Sequence, residues 1–243
     1  MKQPIVYPIE RIQEPEFSDV QAFFWNYSGP LRSIQASIEW EIQNICIYHA
    51  YVSSGLSRES AKLESKINEQ ESYYKNALKE ISDEDDQYPI ELLRSRFLDR
   101  AIDIQNVINA SDQFLDETTI VSLWMISERF LGQIYREFYT HIKGQPPANI
   151  PYKFDTIKTN FANLSVDLTA SHLYADADEC RTLNNAIKHG NTVSTSLKKF
   201  PFFQNLSGPL RKIDLQMQRY VNGVHNFLGS TIEQCHTVLG VSP

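Results

Sequence analysis

Apolar residues in this chain recur at steps of three and four over stretches too long for any strand, and that period constrains the fold more than anything else in the sequence. The first such stretch places Leu31, Ile34, Ile38, Ile42, Ile45, Tyr48 and Val52 in register. Ile90, Leu93, Phe97, Ala101, Ile104 and Ile108 repeat the pattern, and Ile120, Trp124, Leu131, Ile134 and Phe138 do so again. A period near 3.6 puts these residues on one stripe of an α-helix, so each stretch buries one face and leaves the others to water. Nine glycines in 243 residues are too few for the many tight turns of a sandwich or barrel. The expected fold class is all-α, an antiparallel helical bundle with a long helical hairpin on its N-terminal side.

Local punctuation divides the helices. Ser53-Ser54-Gly55 reads as a break, with Ser57 as the cap of a second, more polar helix that runs to Ile81. The stretch from Ser82 to Pro89 joins a run of acids to a proline and reads as a solvated turn in preference to a metal site, because nothing fixes the geometry of its carboxylates. Asp116 is the expected cap of the helix that ends near His141. Pro146, Pro147 and Pro151 exclude a helix interior and mark a loop. A short helix over about Tyr152 to Leu164, another from about Ser171 to His189 with Gly190 as its stop, and a last one from about Ser207 to Leu239 complete the set. This divides the chain into residues 1–115, an acidic region of long helices, and residues 116–243, a smaller bundle expected to pack with the first region as one unit.

Phe23 to Ile34 and Phe202 to Ile213 agree at nine of twelve positions, including Ser-Gly-Pro-Leu-Arg in both. Two readings stand: the same good helix start used twice, with Ser as cap and Pro in the first turn, or a duplication. Either way the first and last long helices are expected to begin alike.

The net charge is −7, which argues against a nucleic-acid coat over the whole chain, because phosphate binding is driven by clustered Lys and Arg. The distribution is uneven. Between Cys180 and Tyr220, Arg181, Lys188, Lys198, Lys199, Arg211, Lys212 and Arg219 face a single acid, Asp214, so the C-terminal third is expected to present an electropositive surface. Cys46, Cys180 and Cys235 are far apart and read as reduced, mostly buried thiols. The N-terminal residues show no secretory pattern and no segment approaches a membrane span, so a cytoplasmic protein with no membrane partner is expected.

The segment Ala177 to Gly190 carries the chemistry. At about 100° per residue, Arg181, Asn185 and Lys188 lie within about 60° of one another, flanked by Asn184 and His189, while Cys180, Leu183 and Ile187 face the other way. A permanently cationic fork, an orienting amide and an imidazole suit the holding of a phosphate and the movement of a proton. The rival reading is structural: His189 beside Gly190 as a helix C-terminal residue favoured by the dipole, and Arg181 as a surface charge. His49, His141, His172, His225 and His236 are singletons read as surface or core residues, and Glu128 is a mid-helix acid that could approach the stripe in the folded bundle. No Gly-rich phosphate loop, His-Glu-x-x-His pair or nucleophile elbow is present, so neither cofactor nor metal is expected.

Asn185-Ala186-Ile187-Lys188-His189-Gly190, at the end of an amphipathic helix and before a loop and a final long helix, resembles the signature region of HEPN domains. The resemblance covers roughly Asp116 to Leu239. It implies a small helical bundle, commonly a homodimer with the two signatures facing each other, and in active members a metal-independent endoribonuclease. His189 then stands at the signature His and Asn185 at the signature polar residue. Asn184 occupies the place of the signature Arg, and Arg181, three residues earlier, is the nearest cation. Two functions follow from the resemblance. One is an endoribonuclease of a toxin or phage-defence system, restrained by an antitoxin or regulatory protein, with His189, Asn185 and Arg181 as catalytic residues and Lys188 and Asn184 as substrate contacts. The other is a non-catalytic module that binds RNA, a nucleotide or a protein partner.

Overall fold

The structure is a computed structural model and describes residues 29–81 and 84–241. Among them are five α-helices, labelled α1 (Arg32–Glu80), α2 (Glu84–Lys143), α3 (Phe154–Ala162), α4 (Tyr174–His189) and α5 (Met217–Val238), with short 3-10 turns between the later ones. No strand occurs among the described residues, only an isolated bridge between Thr192 and Pro209. The protein is an all-α helical bundle. No described helix is long and apolar enough to cross a membrane.

The described residues fall into two compact units, residues 50–115 and residues 29–49 with 116–241. In the first, the hairpin unit, Glu71 on α1 makes a bidentate ion pair with Arg94 on α2 at 2.9 and 2.6 Å, and Ser60 donates to Gln105 at 3.2 Å. The partner number falls on one helix as it rises on the other, so the two segments run antiparallel. Ala101 and Leu115 are the only buried apolar residues among those described in this unit.

The second, the bundle unit, holds the core. Ile38 and Ile42 of α1, Trp124 and Phe138 of α2, Phe161 of α3 and Phe227 of α5 are fully buried in one cluster. His49 and Asp116, also of this unit, meet at 2.9 Å in its interior. Helices α4 and α5 pack against each other where Gly223 faces Asp176, so closely that an added Cβ would stand 2.6 Å from the Asp176 Cβ. An ion-pair network locks this crossing: Arg219 reaches both Asp176, at 2.8 Å, and Glu179, whose carboxylate also accepts from the Tyr220 hydroxyl at 2.8 Å. Burial and the adjacent Glu179 carboxylate push the Tyr220 phenol up, so it stays a donor. The side chains of Cys46, Cys180 and Cys235 are buried.

Three expected helix boundaries are not found. Helix α1 runs unbroken through Ser53-Ser54-Gly55 and Ser57: a mid-helix Gly costs only about 0.5–1 kcal/mol relative to Ala, and no proline forbids the helix. Asp116 is no cap, since α2 continues through it and its carboxylate is committed to His49. Helix α2 already begins at Glu84 and contains Pro89, so the part of the expected turn from Glu84 to Pro89 is helical; Gln87 donates its amide to the Ile81 carbonyl at 2.9 Å. The acids proposed for that turn lie outside the described side chains.

The expectation that the two Ser-Gly-Pro-Leu-Arg copies start helices alike is also overturned. Phe23 to Ser28 lie outside the described residues, but Gly29 and Pro30 lead straight into α1. In the second copy Gly208 takes φ +90°, its carbonyl accepts from Val193 at 2.9 Å, and Leu210 donates to the Asn191 carbonyl at 2.9 Å. Those backbone groups are paired across to another segment and cannot open a helix, so only a 3-10 turn forms at Leu210–Lys212 and α5 waits until Met217.

Candidate functional site

Helix α4 ends as its sequence requires. The Gly190 N–H bonds to the Ala186 carbonyl at 3.2 Å and the Asn191 N–H to the same carbonyl at 2.8 Å, closing the last turn. The left-handed residue of this stop is Asn191, at φ 49°, while Gly190 is extended at φ 170°. Asn tolerates that conformation better than other side chains, and its amide Nδ2 is anchored on Glu117 at 2.7 Å. Glu117 also pairs with Arg211 at 3.4 Å. The chain turns back here, and residues 192–196 run beside the end of α4.

Between them lies an open cavity of about 290 Å³. Arg181, Asn185 and His189 line it from the helix; Thr192, Ser194 and Ser196 line it from the loop. Helical spacing explains which members of the polar stripe reach it. Measured from Arg181 at about 100° per residue, Asn185 falls near 40° and His189 near 80°, whereas Lys188 falls near −20° and Asn184 near −60°. The three residues in the cavity share one sector, and the other two are turned out of it.

Asn184 is 1% exposed, in the same buried face as Cys180 and Leu183, and its Nδ2 donates to the Asn185 carbonyl oxygen Oδ1 at 3.3 Å. Its expected place among the substrate contacts is therefore corrected: the amide acts inside the fold and steadies Asn185. Lys188 is exposed but outside the cavity lining. Glu128 is occupied by its own helix, accepting from the Trp124 indole at 2.9 Å.

Arg181 is held from two sides. Its Nε donates to Asp178 at 2.7 Å, one turn back on α4, and its guanidinium lies 5.2 Å from the centre of the Phe154 ring on α3. Phe154 is in turn fixed edge-on by Trp124 at 5.4 Å. Neither Nη group has a hydrogen-bond partner among the described residues, so the fork keeps its paired donors for a ligand. Asp178 was readable as an i, i+3 partner of Arg181; the Phe154 platform carried no signal, since it comes from another helix. The Ser/Thr-rich loop after Gly190 was visible in composition, but nothing in the sequence aimed it at the helix.

The C-terminal cations divide by residue type. Arg181, Arg211 and Arg219 are all ion-paired, with Asp178, Glu117 and the pair Asp176 and Glu179. Lys188, Lys198, Lys199 and Lys212 are exposed and have no ion pair among the described residues. The expected positive surface therefore rests on four lysines, and acids from outside the basic stretch neutralise its arginines. A second hollow of about 370 Å³ between α1 and α2 has only the Glu41–Arg129 ion pair for charge and holds none of the candidate catalytic or substrate-binding residues read from the sequence. Among the described residues no three His, Cys, Asp or Glu side chains are grouped as metal ligands.

Fold and site together define an all-α helical protein with an open, polar pocket at the C-terminal end of one helix. No protein-family model, curated protein or solved structure matches this chain.

Proposed function

We propose that the pocket binds RNA at a backbone phosphate and that the protein is a HEPN-like, metal-independent endoribonuclease. The observation that supports this reading is the gathering of Arg181, Asn185 and His189 in one solvent-reachable cavity. Arg181 takes the phosphate through its two free Nη groups, supplying from three residues upstream the cation that Asn184 lacks. His189 accepts the proton of the ribose 2′-hydroxyl as that oxygen attacks the adjacent phosphorus; the bond to the 5′-oxygen breaks, the leaving oxygen takes a proton from water, and a cyclic phosphate remains. Asn185 orients the imidazole, and the exposed Lys188 adds attraction for the backbone outside the cavity. By its resemblance the protein acts as a homodimer and as an effector of a toxin–antitoxin or phage-defence system, restrained by a partner protein.

A second reading, a non-catalytic RNA- or nucleotide-binding module, draws on a specific feature as well. Arg181 is already partnered by Asp178 and Phe154, which suits steady recognition more than response to developing charge. Incubation of the purified protein with a mixed single-stranded RNA in the presence of a chelator separates the two. Cleavage to cyclic-phosphate ends, lost in a folded His189→Ala variant, is the expected result. Identical behaviour of wild type and His189→Ala would remove the enzyme, and salt-dependent binding weakened by Arg181→Ala would then leave the module.

A further inference from the structure

The helix side of the pocket accounts for a phosphate; the loop side carries no charge and needs a different explanation. Thr192 and Ser196 are exposed to the cavity, and neither hydroxyl has a partner among the described residues. Ser194 differs: it is half-buried and its Oγ accepts from the Leu197 N–H at 3.2 Å, so it is spent on the shape of the loop. The loop is braced from behind. Val193 donates to Gly208, Asn191 accepts from Leu210, each at 2.9 Å, and the Asn191 amide is tied to Glu117. Two free hydroxyls on a braced backbone thus face a guanidinium and an exposed amide, Asn185, across a space of about 290 Å³.

Each of those hydroxyls can donate and accept, as can the amide, and none carries charge. Their complement is a neutral, hydroxyl-bearing edge directly beside an anion, which is the edge a ribose presents next to its phosphate. Resting on the RNA reading above, we infer that Thr192 and Ser196, with Asn185, form a ribose subsite that contacts the 2′-hydroxyl and makes the pocket prefer RNA to DNA. A site that hydrogen-bonds a hydroxyl discriminates against the analogue that lacks it. Because these groups are open to water, the effect is that of ordinary hydrogen bonds, roughly two- to tenfold in affinity for each.

Fluorescence anisotropy with a short single-stranded RNA and its 2′-deoxy counterpart reads this directly. The parent protein carries His189→Gln, which keeps a polar side chain at the rim and prevents consumption of the RNA. The parent is expected to bind RNA more tightly than DNA. Thr192→Val with Ser196→Ala should weaken RNA binding by that factor per hydroxyl, leave DNA binding and the salt dependence unchanged, and so narrow the gap to what Asn185 alone supplies; Ser196→Thr should retain it. Arg181→Ala should instead weaken both ligands and flatten the salt dependence while the gap persists. If the double variant keeps the gap undiminished, or loses RNA and DNA equally, the ribose subsite is overturned and the RNA reading survives. If the parent binds neither nucleic acid, the RNA reading falls and takes the subsite with it.

Discussion

Residues 50–115 and the bundle around α4 and α5 are both helical for most of their length, but for different reasons. In the hairpin unit, large apolar side chains such as Tyr51, Tyr73, Val107 and Phe114 are mostly exposed, and the buried seam is largely polar, with Ser53, Ser60, Gln105 and Asp112. Its helices draw on backbone hydrogen bonding, intrinsic propensity and a few cross-helix pairs. In the bundle unit α5 is buried along nearly its whole length, largely in the apolar core, and its crossing with α4 is tied by the Glu179 carboxylate, which serves Arg219 and Tyr220 together. The contrast teaches that equal helicity conceals unequal dependence on single residues. The hairpin unit should tolerate substitutions that the bundle unit does not.

The sharpest way to break that contrast is to remove one carboxylate from each unit. Glu179 is 1% exposed and serves both Arg219 and Tyr220; Glu179→Ala leaves a partly buried cation and a buried hydroxyl short of a partner, at a cost of about 3 kcal/mol or more. Glu71 pairs with Arg94 where the two side chains are 32% and 40% exposed, and Glu71→Ala should cost less than about 1 kcal/mol despite the bidentate geometry. Urea unfolding of the two variants compares them. Equal losses would show that the bundle network is no more important than a surface pair.

Acidity sharpens the comparison next. Burial pushes the His225 imidazole down to about 4, and the hairpin unit has no histidine. Between that value and the unfolded value of about 6.5, the unfolded chain takes up a proton that the folded chain refuses. Stability is therefore complete above pH 6.5 and declines as pH falls toward 4, by up to roughly 3 kcal/mol from this group. The readout is the urea midpoint across that range, wild type minus His225→Asn, which cancels the carboxylates common to both. Amides of the bundle unit should lose exchange protection over this window; a loss confined to residues 50–115 would contradict the assignment.

The same division explains what could be read from the sequence. Periodicity identified the helical stretches because burial of one face leaves a trace in every turn, and it found Arg181, Asn185 and His189 because they lie on one helix. Boundary residues misled wherever tertiary partners outweighed local preference: Asp116 went to His49, Leu210 to Asn191 and Gly208 to Val193. Asn184 was misplaced by neighbourhood in sequence, although its four-residue offset from Cys180 assigns it to the buried face. The place of the loop hydroxyls and of the Phe154 platform in the site could not be read, because the pocket is lined by segments whose approach depends on the fold.

The finest test uses a single added methyl, because one substitution should change sign between the units. Gly223 faces Asp176, whose Cβ would stand 2.6 Å from an added methyl, with the Ala177 backbone nitrogen at 3.2 Å. Neither atom is the free end of a flexible side chain, so Gly223→Ala must push α4 and α5 apart, at a cost of about 1–3 kcal/mol. Gly55 lies within α1 with nothing within 4 Å of the same position. There the methyl meets no neighbour and only restricts the unfolded chain, so Gly55→Ala should stabilise by about 0.5–1 kcal/mol. Exchange protection of amides near residue 55 and the global unfolding midpoint read the two sites separately. If both substitutions destabilise, α1 at Gly55 is bent or packed in solution and the break expected at Ser53-Ser54-Gly55 has a physical basis after all; opposite signs mean that glycine at 55 is merely tolerated, whereas glycine at 223 is what lets the helix bearing the pocket reach its partner.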